Sequence, residues 1–387
     1  MALPIIRLQA QRHRRALGGH PWIYSNEVVM DEAAKAFEPG ALAEFRSHDG
    51  RFIGKGSFDP HPLIAGRIFS RNLVEAIDEA WLLSRVREAL ELRERLVSVP
   101  FYRVIHAEAD GIPGLIVDRF GEFLAVQLNT SGIERLWPEL RQALMSLLKP
   151  RGIYVQKFAN AQRFVEGEAA DGPVEVSENG LTFYADLAGG QKTGWYFDQR
   201  DNHALVARYV RSQDNALDLY THAGGFALHA ARAGAAQVVA VDSSEPALQL
   251  AQTAAERGGY AAQCKFVRAD VFEELERRSA AKEKFKIVVA DPPAFVKSRK
   301  DLTSGGKGYR KLARLCAQVT AQQGILFIAS CSHNMDLPGF TEQVAAGLAE
   351  AGREGRILHT VFAAPDHPVH PHLPESAYLK ALLVRLD

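Results

Sequence analysis

"NALDLYTHAGGFALHAARAGAAQVVAVDSS", residues 215–244, holds one complete strand–helix–strand unit. Its first apolar run closes at Asp218 and Leu219, Gly224 and Gly225 make a turn, and "FALHAARAG" then repeats apolar residues at helical spacing. The second run, "VVAV", closes at Asp242. Both runs are apolar without alternation, which places them inside a parallel sheet covered on two faces. The same pattern continues through "CKFVRAD", "FKIVVADPP" and "GILFIASCS", separated by the helical stretches "EPALQLAQTAAERG" and "YRKLARLCAQVT". After the helix "GFTEQVAAGLAEAG", "ILHTVFAAP" and "YLKALLVRL" predict two closing strands. Residues 185–387 are therefore expected to form an α/β, Rossmann-like domain.

Upstream the texture differs. Residues 1–73 carry short β-type runs, "GHPWIYSNEV", "GALAEFRSHDGRFIGKGSFDP" and "LIAGRIFS", and the turn "SHDG" predicts a hairpin in a small barrel. Arg7, Arg12, Arg14, Arg15, Arg46, Arg51, Lys55, Arg67 and Arg71 make it mildly basic, a pattern that a solvated barrel surface also explains. "LVEAIDEAWLLSRVREALELRER" puts Trp81, Leu82 and Val86 on one helical stripe. With the strands and the helix "IERLWPELRQALMSLLK" that follow, residues 74–184 predict a central α+β domain.

Lys+Arg and Asp+Glu both total 46 in 387 residues, so no global field draws the protein onto a polyanion. Any such partner would need a local patch. Cys264, Cys316 and Cys331 are odd in number and lack zinc spacing, which predicts a reducing compartment. "MALPIIRLQAQRHRR" has the wrong order for a secretory signal, and no apolar run approaches membrane length. A cytoplasmic protein without membrane contact is expected.

Ligands of open α/β sheets bind beyond the carboxyl ends of the strands. Asp218 stands at the first end, Asp242 at the second, placed to accept from ribose hydroxyls, and Asp270 with Val271 at the third. A helix N-cap would explain any single acid. Three in register point to a nucleoside. The fourth end is "DPPAF", whose prolines stiffen the chain and present Asp291 at a fixed angle. The fifth delivers Cys331 beside it.

The motifs "LDLYTHAGGFALHAA", "VVAVDSSEPALQLA", "VVADPPAF" and "IASCSH" resemble those of class I S-adenosylmethionine (SAM) methyltransferases. More closely, the chain resembles the RlmI-like family of 23S ribosomal RNA cytosine-C5 methyltransferases over almost its whole length. "GHPWIYSNEV" and "DGRFIGKGSF" are similar to that family's N-terminal PUA domain, "EADGIPGLIVDRFGEFLAVQ" to its central domain, and "GQKTGWYFDQRDNH" to its signature before the catalytic sheet. Three departures stand out: Ala294 in place of the family's usual Lys, His203 in place of Arg, and "QKFAN" in place of a more charged stretch.

The resemblance implies SAM as cofactor, 23S rRNA, naked or in the large subunit, as partner, and 5-methylcytosine as product; a homodimer is compatible with it. Cytosine C5 is a poor nucleophile, so a thiolate adds to C6 and pushes electrons to C5. Cys331 is the implied thiolate, and Asp291 would hydrogen-bond N3 and the exocyclic amine. A free thiol near pKa 8.5 (about) is mostly protonated at neutral pH, so the site should lower it, with the sulfonium and His333 as candidates. For Cys264 and Cys316 a packing role suffices. Asp218 and the Tyr220, Thr221, Gly224, Gly225, Phe226 segment would face the methionine part of SAM, Asp242 and Ser243 the ribose, Asp270 and Val271 the adenine. Phe197, Gln199 and Arg200 would close the pocket, with Asp291 and Pro292 beside the cofactor.

"VKSRKDLTSGGKGYRK" gathers Lys297, Arg299, Lys300, Lys307, Arg310 and Lys311 around a glycine pair that reads as a flexible loop able to grip phosphates. Pro293, Phe295, Lys297, Lys300, Lys307 and His333 are the expected substrate contacts. A base must leave its stack to reach the thiol. Two other activities use related parts. An exocyclic-amine methyltransferase needs an aromatic after the prolines and no thiol, and a non-catalytic RNA-binding factor needs only the barrel. A nicotinamide oxidoreductase would need G-x-G-x-x-G, which is missing.

Overall fold

The computed structural model describes residues 3–158, 162–190 and 194–387. Residues 159–160 of "QKFAN" and 191–193 of "GQKTGWYFDQRDNH" lie outside the described residues. The chain divides into two units: Met1–Gly172 with Asp366–Ser376, and Pro173–Pro365 with Ala377–Asp387.

In the first unit, short strands and turns build a five-stranded sheet. It contains β1 (Ile5–Arg7), β2 (Trp22–Tyr24), β3 (Ala41–Arg46), β4 (Phe52–Phe58) and β5 (Ile64–Ser70), in the order β1-β3-β4-β5-β2, with the single-turn helices α1 (Arg14–Leu17) and α2 (Glu32–Lys35). Leu8, Ile23, Phe45 and Phe58 fill its core. The "SHDG" hairpin forms, its Gly50 at φ +87°. Several of its cations are structural. Arg15 pairs with Glu27, Arg46 with Glu44, and Arg71 donates to the carbonyls of Ala16, Ile53 and His20.

Helix α3 (Glu79–Leu96) starts where the Asp78 carboxylate accepts from the Trp81 amide, and it buries Trp81, Leu82 and Val86 as the stripe predicts. It packs on a second sheet, ordered β10-β9-β8-β7-β6 and made of β6 (Phe101–His106), β7 (Leu115–Phe120), β8 (Phe123–Leu128), β9 (Gly152–Lys157) and β10 (Arg163–Gly167), with α4 (Ser131–Arg135) and α5 (Trp137–Leu148) between β8 and β9. Arg93 is fully buried here. It makes two bonds to Asp110, at 2.6 and 2.7 Å, and one to the Asp366 carbonyl at 3.0 Å. That bond joins the late segment 366–376 to this unit.

The second unit opens with the hairpin β11 (Val174–Glu178) and β12 (Leu181–Ala185), then α6 (Arg200–Ala207). Its main sheet joins β13 (Asn215–Leu219), β14 (Gln237–Asp242), β15 (Cys264–Arg268), β16 (Phe285–Ala290), β17 (Thr320–Ser330), β18 (Gly355–Phe362) and β19 (Lys380–Leu386) in the order β15-β14-β13-β16-β17-β19-β18. Strands β13 to β17 are parallel, and β19 runs antiparallel between β17 and β18. The helices are α7 (Gly225–Arg232), α8 (Glu245–Gly258), α9 (Val271–Ala280), α10 (Leu302–Val319) and α11 (Leu337–Glu350). No helix among the described residues is long and apolar enough to cross a membrane.

One expected loop is a helix. Gly305 and Gly306 lie inside α10 and are buried. A Cβ on Gly305 would stand 2.6 Å from the Phe295 carbonyl oxygen, so this glycine serves close approach of helix and strand-end loop rather than flexibility.

Candidate active site

Strands β13 and β16 are sheet neighbours, with Leu219 opposite Ala290, and the chain leaves them in different directions. Their carboxyl ends therefore open a crevice. The turn after β13 is held in left-handed backbone at Tyr220 (φ 62°), His222 (φ 49°) and Gly224 (φ 87°). Such conformations persist in side-chain-bearing residues only where surroundings impose them. Part of that imposition is visible. Asp218 Oδ2 accepts from the Thr221 hydroxyl at 2.6 Å and the Ala227 amide at 2.9 Å, while Asp242 accepts from the His222 and Ser244 amides. Asp218 is 2% exposed and its Oδ1 has no partner among the described residues. Burial pushes its carboxyl up to about 7.

Asp270 is exposed and caps α9, accepting from the Phe272 and Glu273 amides. A ligand contact there would add to a structural role. Asp270→Ala should therefore lower unfolding stability by about 1 kcal/mol, and Asp270→Asn, which keeps the cap, should not. Chemical denaturation measures this. Calorimetric titration of both variants with SAM reads any cofactor role separately.

A chain of amides reaches Asp291. Asn202 Nδ2 donates to Gln199 Oε1 at 2.6 Å, which fixes the amide so that Gln199 Nε2 donates to Asp291 Oδ2 at 2.8 Å. Phe197 is buried and the Arg200 guanidinium lies 5.4 Å from its ring centre. Tyr196, which sequence reading passed over, has its hydroxyl raised by burial and by the charges of Asp198, Asp291, Cys331 and Asp242. It stands among the expected site residues. Asp198 Oδ2 accepts from the Tyr378 hydroxyl at 2.5 Å, and its Oδ1 lacks a partner among the described residues.

Cys331 follows β17 and its thiol donates to the Pro292 carbonyl at 3.7 Å, which brings it beside Asp291. It is partly exposed, whereas Cys316 is buried and its thiol is pushed up by burial; burial lifts Cys264 to about 11. The residues flanking Cys331 are tied down. Ser330 donates to the Tyr309 hydroxyl at 2.8 Å, Tyr309 lies 2.8 Å from Ser332 Oγ, and Ser332 Oγ accepts from the Val296 amide. His333 is exposed with its ring 5.4 Å from that of Tyr378. Phe295 packs against Tyr309 at 4.8 Å and Phe272 at 6.1 Å, with the helices rather than with the acids. Pro293 and Ser243 are exposed, and Val271 is buried at the start of α9.

Lys297, Arg299, Lys300 and Lys307 are exposed around the start of α10, while Lys311 pairs with Glu276 and Arg310 bonds Gln343. A further polar cluster is closed on itself. Glu178, His203 and His229 bring donor atoms within 4.8 Å of one another, yet His203 Nδ1 lies 2.6 Å from Glu178 Oε1, His229 Nδ1 bonds the Gly225 carbonyl, and Trp195 donates to Glu178 Oε2. Here His203 is the hydrogen-bond partner of the Glu178 carboxylate. A Cβ on Gly225 would stand 2.5 Å from its Nε2, so the second glycine of the turn must remain one. In the first unit a cleft of about 400 Å³ is lined by Arg71, Arg85, Glu108 and His370, but its Arg71 is spent on backbone carbonyls.

Lys380 was also missed by sequence reading. It is 3% exposed on β19 and donates to the Ser332 and Met335 carbonyls, at 2.7 and 2.5 Å. Its signal was present: one cation inside "YLKALLV".

Residues 6–71 match the PUA-like domain family, and residues 134–385 match the S-adenosylmethionine-dependent methyltransferase family. Ribosomal RNA large subunit methyltransferase I of Aeromonas salmonicida is 34% identical over 393 residues, covering 98% of each chain. The protein of that name from Salmonella typhi is 34% identical over 396 residues, 99% of this chain and 98% of its own. The crystal structure of SMU.776 complexed with SAH superposes with a TM-score of 0.87 at 19% identity over all of both chains. A SAM-dependent methyltransferase from Streptococcus mutans gives 0.85, also at 19%, over 99% of this chain and all of its own.

Proposed function

Because the chain belongs to the S-adenosylmethionine-dependent methyltransferases, and to the family of ribosomal RNA large subunit methyltransferase I, we propose that it forms 5-methylcytosine in 23S rRNA through Cys331. The domain limits at 73 and 184, and a cytoplasmic setting, belong to the same proposal.

Bound SAM supplies an electrophilic methyl on a sulfonium. The residues present fit it: the Oδ1 of Asp218, without a partner among the described residues and beside a turn held in strained backbone, suits a cationic donor such as the methionine ammonium. Asp242 keeps lone pairs for ribose hydroxyls. Cys331 Sγ would add to C6 of the flipped base, placing negative charge across the ring toward N3. Asp291, whose Oδ2 accepts from Gln199, would meet N3 and the exocyclic amine. C5 would then take the methyl group as the methyl–sulfur bond of the sulfonium breaks and a neutral thioether leaves. Loss of the C5 proton re-forms the C5–C6 double bond and expels the thiolate.

The observation that carries this proposal is the partly exposed Cys331 thiol 3.7 Å from the carbonyl that follows Asp291. Amine methylation is disfavoured by Phe295, whose ring lies against Tyr309 and Phe272 instead of standing ready to stack on a base. The test is to incubate the protein with radiolabelled SAM and unmodified ribosomal RNA, then map the modified base. Label at cytosine C5 is expected. Label at N4 would overturn the assignment.

Four exposed cations at the start of α10 support phosphate contact. Replacing Lys300 and Lys307 together with alanine should lower the slope of log affinity against log salt by about 1.5, since each phosphate contact releases counterions. Filter binding with an rRNA fragment across a salt series measures it, and SAM affinity should not change.

A further inference from the structure

A charged side chain in an interior strand needs an account. Lys380 sits opposite Ser330 in the β17–β19 ladder, so its side chain reaches under the turn that carries Cys331. Two of its three N–H groups are used, on the carbonyls of Ser332 and Met335. No carboxylate is paired with it among the described residues. Burying an ammonium without an ion pair is costly, and carbonyl dipoles offset only part of that cost. Cys331 and Asp336 are the groups whose negative charge favours the ammonium, and burial nonetheless lowers it to about 8. An unpaired buried cation next to a thiol is the arrangement in which thiolates form at neutral pH.

We propose that Lys380 is a positioning residue for methyl transfer: its ammonium fixes the Ser332 and Met335 carbonyls and supplies the positive charge beside which Cys331 ionises. The proton released from Sγ passes to water. Among the described residues, the groups near this thiol from neighbouring elements include Asp291 after β16, the Tyr196 hydroxyl before α6 and the Tyr309 hydroxyl on α10, with Asp336 acting on Lys380. Each of these named groups is an acid or a phenol. His333, two residues on, is turned to Tyr378.

The inference rests on Cys331 being the nucleophile, but its test needs no RNA. The rate of iodoacetamide alkylation at Cys331 is followed against pH in the full chain, with the modified peptide identified by mass spectrometry. Cys316 and Cys264 contribute little, both thiols being held up by burial. Wild type should ionise below the ordinary thiol value of about 8.5. Lys380→Met should move the midpoint up by about one pH unit, which slows alkylation at pH 7 about 10-fold. Lys380→Arg should restore most of the rate, and Lys380→Gln, which still donates to carbonyls, should not. Calorimetric binding of SAH confirms that each variant is folded.

Superimposable wild-type and methionine profiles would overturn the proposal, as would equal slowing in the arginine variant. Should no uncharged variant fold, a wild-type midpoint at or above that of a free thiol overturns it alone. If Cys331→Ala still methylates RNA while the Lys380 profiles differ, the nucleophile assignment falls and the charge coupling stands.

Discussion

Replacing Cys331 with alanine is expected to reduce methyl transfer to cytosine by about 10³-fold or more, with SAM affinity unchanged. The thiol is the one group of the proposed mechanism that makes and breaks a covalent bond, so no neighbour can stand in for it. Its loss should not disturb the fold. Cys331 is partly exposed, and its flanking serines are held by Tyr309 and Val296 independently of the sulfur. Single-turnover transfer of labelled methyl to rRNA, beside calorimetric binding of SAH, separates chemistry from binding. Full turnover by the alanine variant would remove Cys331 from the mechanism.

Asp291→Asn should lower kcat by about 10²–10³-fold with a small change in KM, the size seen when one preorganised partner of a developing charge is removed. Asparagine still offers a carbonyl oxygen to Gln199 Nε2, so the amide chain from Asn202 survives and the crevice keeps its shape. What goes is a carboxyl able to share a proton with N3. Gln199→Ala supplies the contrast. Asp291 would keep its carboxyl but lose the Gln199 bond, and a fall in kcat smaller than that of Asp291→Asn is expected. Steady-state kinetics on an rRNA fragment distinguishes the two, and equal kcat for wild type and Asp291→Asn would refute the role.

The strand ends were readable in advance because a parallel βαβ unit places the last residue of each apolar run at the same edge of the sheet. Asp218, Asp242, Asp291 and Cys331 needed only that rule. Tyr196 could not be found so. It precedes a short helical turn outside the sheet and comes near Asp291 and Cys331 only through packing. Gly305 and Gly306 misled for a related reason. In sequence a glycine pair signals a bend, but here Gly305 lets a helix press onto the Phe295 backbone, a demand set by the packing of the preceding strand-end loop.

From its own residues the sequence determined the α/β class of the second half, the alternation of its strands and helices, and which acids and which cysteine end strands, because local periodicity encodes those directly. Only the tertiary structure decided what stands next to the cysteine. β19 inserts antiparallel between β17 and β18, a pairing that no local pattern specifies, and it carries Lys380 under a turn from which it is separated by more than forty residues.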